Sequence, residues 1–167
     1  MPRIDLNTIP EVARTGYPAP FARAVDGRSA QWLTAPAGLS DFGVNIIALQ
    51  PGAWSSQRHW HEAEDEFLVM LEGEAVLVDD NGRTALQAGD CAAFPKGDGN
   101  GHHLINESAV NARFLVVGAN GIMGECHYPD IDLMVGPSMV YTRKDGSPWE
   151  QAPAPVIPAK AGISNKV

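Results

Sequence analysis

"RHWHEAEDEFLVMLEG", residues 58–73, is the stretch on which the reading of the chain turns. In a β-strand successive side chains point to opposite faces, so His59 and His61 share one face while Arg58 and Trp60 share the other. Glu66 follows His61 by five residues, the wrong parity for one continuous strand. The polar "EAED" between them predicts a tight turn. Glu66 then opens the next strand and points back at the two imidazoles, with Leu68 and Met70 on its own face. Two imidazoles and a carboxylate brought to one spot are the donor types of a transition-metal site. Glu62, Glu64 and Asp65 read as a solvated turn.

Outward from this stretch the pattern is all-β. Short apolar runs separated by Gly, Asn, Asp and Pro recur: "FGVNIIALQPG" (42–52), "EFLVMLEG" (66–73), "EAVLVDDNG" (74–82), "DCAAFPKG" (90–97), "HHLINES" (102–108) and "ARFLVVG" (112–118). Each reads as a strand ending in a turn signal. "AVLVDDNGRTAL" is the clearest hairpin, with Asn81-Gly82 as the pair tolerant of positive φ. Strands at this spacing predict a sandwich or barrel. "GDCAAFPKGDGNGHHLIN" (89–106) supplies a Gly-rich loop and then a further imidazole, His102 or His103. Three imidazoles and one carboxylate suit Zn, Fe, Mn or Ni and leave open positions for water or substrate.

The spacing Gly52, six residues, His59-x-His61, four residues, Glu66, six residues, Gly73 resembles the first signature of the cupin superfamily. Gly89, five residues, Pro95-x-Gly97, then His102, three residues, Asn106 resembles the second, and 15 residues separate the two. Between Gly97 and His102 lie four residues, where the family pattern usually has two. The resemblance covers roughly 42–118. It implies a cupin-type double-sheet antiparallel β-barrel (jelly roll) holding one divalent transition metal per chain. His59, His61, Glu66 and His102 would be the ligands, His102 being preferred over His103 because it keeps the three-residue gap to Asn106. Zn is the single choice for the occupant as purified, with Fe, Mn or Ni as alternatives. A small-molecule ligand and a homodimer are also implied. Gln57, Met70, Leu104 and Asn106 are expected to line the substrate pocket.

The expected organisation is an N-terminal arm or outer strands over 1–41, a barrel core over 42–118, an outer crossing or lid over 119–150, and an extended Pro/Ala-rich tail over 151–167. "IPEVAR" (9–14) is expected to start a short helix. Net charge is −8, and Lys and Arg nowhere cluster, which excludes nucleic acid and an anionic membrane surface as expected partners. The same scarcity of clustered cations counts against a phosphorylated substrate, since no bidentate phosphate clamp is visible. Without a signal-like segment or a long apolar run, the chain is expected to be cytoplasmic. Cys91 and Cys126 read as reduced thiols.

Two function classes fit. One is a metalloenzyme acting on a small oxygenated molecule, isomerase- or lyase-like as in sugar-phosphate-isomerase-like cupins, or an oxygenase with Fe(II). The other is a non-catalytic cupin that binds a small ligand through its metal. An enzyme needs an acid or base beside the metal, and "GECHYPDIDLMV" (124–135) is expected to offer His127 or Tyr128 as the catalytic residue.

Overall fold

The computed structural model describes residues 3–121 and 124–149. Its architecture is antiparallel β throughout, with one four-residue α-helix, α1 (Thr34–Ala37), and two short 3-10 turns, Leu6–Thr8 and Phe21–Val25. The largest sheet carries β1 (Arg28–Trp32), β2 (Phe42–Leu49), β9 (Ala112–Ala119), β4 (Glu66–Glu72) and β7 (Cys91–Phe94), in that spatial order. A second sheet runs β12 (Tyr141–Thr142), β11 (Leu133–Val135), β10 (Cys126–Tyr128) and β3 (Trp60–His61). A third runs β6 (Gly82–Gln87), β5 (Glu74–Asp79) and β8 (His103–Ile105). This is the double-sheet cupin-type barrel, and five of the six strand expectations within 42–118 correspond to single strands with ends shifted by a few residues; the sixth, over 74–82, is β5 plus the turn.

Alternation explains which faces are buried. Ile47 and Leu49 on β2, Leu68 and Met70 on β4, Phe114 on β9 and Leu104 on β8 point inward and form the main core with Ala30 of β1. Each fully buried aliphatic side chain of this kind contributes about 1.5–3 kcal/mol. On the outer face, Ile46 is covered by Ile9 and Leu33 from the N-terminal arm. The β4–β5 turn needs Gly73: its φ is +68°, and a Cβ there would stand 2.5 Å from the Asn111 carbonyl oxygen.

Several expectations are corrected in detail. Residues 9–14 form no helix; Val12 instead exchanges backbone hydrogen bonds with Ala30, so the arm lies against the edge of β1. In the hairpin, Asp79 pairs with Gly82, so the two-residue turn is Asp80-Asn81 and only Gly82 has positive φ. The segment expected as an outer crossing or lid carries β10, β11 and β12 of the second sheet. β10 and β11 form a hairpin that continues the second sheet, and β10 pairs directly with β3. The tail expected over 151–167 lies outside the described residues. Among the described residues no helix is long and apolar enough to cross a membrane.

Candidate metal centre

Backbone pairing places the imidazoles before any side-chain contact is considered. His59 and His102 exchange two hydrogen bonds, His102 N–H to His59 O at 2.8 Å and His59 N–H to His102 O at 3.2 Å. Partners in such a pair project to the same face. Glu66, the first residue of β4, pairs with Phe94 of β7, whose ring stacks on His102 at 3.6 Å between centroids. The turn at 62–65 carries the chain from β3 to β4 and is tied down by Lys96 N–H donating to Asp65 Oδ1. Gly101, just before His102, packs so closely that a Cβ would stand 2.9 Å from Pro129.

Three Nε2 atoms converge on one carboxylate oxygen. Glu66 Oε2 lies 3.3 Å from His102 Nε2, 3.6 Å from His61 Nε2 and 4.0 Å from His59 Nε2. Atoms sharing one metal at about 2.1 Å stand roughly 3.0–3.5 Å apart; the His102 and His61 distances come near that range and the His59 distance exceeds it, and the donors fall into two overlapping groups, His59–Glu66–His102 and His59–His61–Cys126. The other side of His59 suits a ligand. Its Nδ1 lies 2.9 Å from the Gln57 carbonyl oxygen, which can accept only from Nδ1–H. The Ser56 hydroxyl lies 3.2 Å from the same Nδ1; with Nδ1–H donating to the Gln57 carbonyl, the Nε2 lone pair faces inward, the outer-sphere arrangement typical of ligating histidines. His102 Nδ1 is buried without a partner.

Charge is distributed unevenly. Burial, with His102 close by, lowers the His59 pKa to about 3, so this imidazole is neutral. Burial alone would also depress His61, but hydrogen bonds to Cys126 and Glu66 overcome it and raise His61 to about 10. Burial works against the Glu66 carboxylate, yet hydrogen bonds from His102 and His61 hold it well below the ordinary carboxylate range. Two neighbours escaped sequence reasoning. Glu64 is nearly buried, its Oε2 3.4 Å from His61 Nδ1, rather than part of a solvated turn. Cys126 is the cross-strand partner of His61 and forms a donor group with His59 and His61. Nothing in the sequence announces that pairing.

A cavity of about 370 Å³ opens beside these residues, lined by His59, His61, Glu64, Glu66 and His102 and, further along, by Tyr17, Arg28, Trp32, Asn45 and Leu104. Of the residues expected to line it, only Leu104 does. Gln57 is buried but turns its amide to the Phe21 carbonyl. Met70 is packed inside the main core. Asn106 is fully buried and structural: its amide donates to the Leu49 and Val110 carbonyls, and its Oδ1 accepts from Ser108. His103 is buried under Trp54, with Nδ1 3.1 Å from the Ser56 carbonyl, and faces away from the donor set.

The two acid–base candidates divide. His127 pairs with Trp60 across β10 and β3 and stacks on it, with Nε2 3.0 Å from Glu62 Oε1. It therefore faces outward. Tyr128 faces inward but sits behind His59, ring centroids 5.8 Å apart, packed against Tyr17 and Tyr141. Burial raises the hydroxyls of Tyr17 and Tyr128, so both remain protonated donors.

Residues 45–118 match the cupin domain family. A sugar phosphate isomerase of the cupin superfamily from Silicibacter pomeroyi is 46% identical, over 89% of this chain and 97% of that one, with a TM-score of 0.84. A proposed sugar phosphate isomerase from Acidithiobacillus ferrooxidans is 26% identical over 75% of each chain, TM-score 0.61. A polyketide cyclase from Streptomyces resistomycificus, 22% identical over 71% of this chain and 79% of that one with a TM-score of 0.60, shares the fold. No curated protein matches the chain.

Proposed function

We propose, for a chain that belongs to the cupin superfamily, that His59, His61, His102 and Glu66 hold one divalent transition metal and that the protein is a metal-dependent isomerase or lyase acting on a small oxygenated molecule. The observation that carries this is the convergence of three imidazole Nε2 atoms on Glu66 Oε2 at one pole of a cavity. The Silicibacter pomeroyi relative, similar over nearly its whole length, supports isomerase chemistry over oxygenation. Zn remains the single choice of metal.

A divalent metal bound there would polarise a carbonyl or hydroxyl and stabilise negative charge developing on its oxygen. The chain's own residues supply the rest. Glu64, lining the cavity beside His61, would take the proton from the hydroxyl-bearing carbon next to a carbonyl and return it to the carbonyl carbon, while the proton of that hydroxyl passes to the former carbonyl oxygen. Tyr17 presents a hydroxyl that burial keeps protonated, and it can hydrogen-bond a substrate oxygen. Leu68, Leu104, Phe114 and Val116 form an apolar wall that keeps bulk water from the reacting carbon. A non-catalytic ligand-binding protein is the alternative, favoured by His127 facing outward.

Phe42 and Phe67, exposed on the outer face of the large sheet beside Val117, support a homodimer through that face. The test of the chemistry is solvent-deuterium uptake. Metal-loaded protein should exchange deuterium into a sugar or sugar phosphate bearing a carbonyl, and Glu64→Gln should stop exchange while retaining metal. Full metal content with no exchange into any such compound would favour the binding alternative.

A further inference from the structure

Besides the donor set, the same cavity contains a cation that makes no ion pair among the described residues. Arg28 lines it from β1, and its Nε is shut off from solvent with no hydrogen-bond partner. Among the described residues its guanidinium makes no ion pair; its charged neighbours-to-be are only the hydroxyls of Tyr17 and Tyr141, which burial keeps neutral. Arg28 as a whole is only partly buried, but its sealed Nε–H is a donor left without a partner, and an anion entering the cavity would satisfy it. A second orphan lines the cavity as well: Asn45 Oδ1, buried and without a donor.

Register places these groups together. Arg28, Ala30 and Trp32 alternate onto the inner face of β1, and Trp32 pairs directly with Asn45 of β2. About 13 Å of strand separates Arg28 from Trp32, enough for a molecule of several carbons to reach from one to the other. Trp32 is half-exposed at 52% and lines the cavity. A metal held by the donor set would take a carbonyl or hydroxyl oxygen of the ligand, which leaves the ligand's anionic group for Arg28 in the same cavity.

We infer that the ligand is a small hydroxylated organic anion, a carboxylate or phosphate, whose anionic group is gripped by Arg28 and whose hydroxyl donates to Asn45 while its carbonyl or hydroxyl end faces the His59–His61–His102–Glu66 pole. This rests on the proposed metal site for the ligand's far end but not for the anion grip. A lone guanidinium can bind a planar carboxylate or a phosphate with two parallel N–H bonds, so the absence of clustered Lys and Arg in the sequence does not weigh against an anionic substrate.

Calorimetric titration of metal-loaded protein with D-ribose, D-ribonate and D-ribose 5-phosphate tests this. One or both anions should bind roughly tenfold or more tighter than the neutral sugar, the gain expected of a charge-assisted bond. Competition by inorganic phosphate but not glycolate would assign the site to phosphate, and the reverse to carboxylate. Arg28→Gln should reduce the preference to about twofold or less with metal content unchanged, and Asn45→Asp, which places a like charge beside the anion, should weaken anions while sparing ribose. Equal affinity for ribose and both anions, or an anion preference that survives Arg28→Gln, would overturn the inference. Failure of the metal reading shows differently: metal content would be nil, while Arg28-dependent anion preference would persist in His59→Ala/His61→Ala.

Discussion

Two clusters of histidine and carboxylate lie back to back on β3 and β10, and they differ in nearly every respect except composition. On the inner face, His59, His61, His102 and Glu66 point their coordinating atoms at one another from three different strands or strand ends. On the outer face, Glu62, Glu125 and His127 form a donor group of similar dimensions. The inner donors are shielded, with side chains 4–22% exposed; the outer carboxylates are 45% and 51% exposed. Burial removes competing water and fixes rotamers, whereas exposed acidic groups retain hydration that a metal must displace. The two clusters thus share donor types and differ in desolvation, and the expectation that metal prefers the inner one rests on that difference.

The largest effect should come from breaking the inner cluster. His59→Ala/His61→Ala should take bound metal from about one per chain to none, read by elemental analysis of purified protein. Metal-linked stabilisation, about 4 kcal/mol at a metal concentration 1,000-fold above its Kd, should vanish with it in denaturant melts. Retention of metal by the double variant would show that these two imidazoles are not its ligands.

The adjacent pair sharpens the same contrast. His102→Ala should lose metal, because its Nε2 is among the converging donors. His103→Ala should keep metal and lose about 1–3 kcal/mol of stability, because the Ser56 carbonyl loses its buried partner. The opposite outcome in metal content would place the ligand on the other face of the strand.

The inner site was legible in the sequence because its residues obey local rules. Parity in "RHWH", a polar turn, and a Gly-rich loop suffice to bring four side chains to one face. The rest depends on which strands pair, and this is not a local property. Cys126 meets His61 only because β10 docks on β3. Arg28 reaches the cavity only because β1 joins β2 in the register that pairs Trp32 with Asn45. Gln57 and Asn106 are buried yet bond the chain's own carbonyls, and in a sequence inward polarity looks alike whether it serves a ligand or the backbone. The turn at 62–65 misled because acidic side chains suggest solvent, and Glu64 folds under instead.

A smaller effect is expected from Arg58, which on the outer face of β3 holds Asp130 through Nε and Nη2 at 2.7 Å each, and also contacts Asp80 and the Gly101 carbonyl. These hydrogen bonds hold the Asp130 carboxyl below its ordinary range. A depressed carboxylate contributes stability that is present above its unfolded-state pKa and is lost as pH falls through the folded value. Wild type should therefore lose more stability than Asp130→Asn on acidification through and below the usual carboxylate range. The Asp130 side chain is 56% exposed, so the difference should stay under about 1 kcal/mol. Parallel acid-stability curves for the two proteins would show that the pair contributes nothing.

The smallest effect is expected at His127, where the comparison is most exposed to failure. His127 stacks on Trp60 with centroids 4.3 Å apart and reaches Glu62, whose carboxyl is lowered chiefly by that hydrogen bond. The sign is that of Asp130: the contribution exists above the usual carboxylate range and is lost in acid. Because Glu62 is exposed, solvent and salt screen it, and His127→Ala should leave the melting midpoint almost unmoved. Metal should be unmoved too. The decisive background is His59→Ala/His61→Ala, in which the outer group is intact and the inner one is gone. Zinc titrated into that protein should find no stoichiometric site. If it does bind one equivalent, and adding His127→Ala removes it, then exposed donors on this fold are a site in their own right, and desolvation does not separate the two faces of β3.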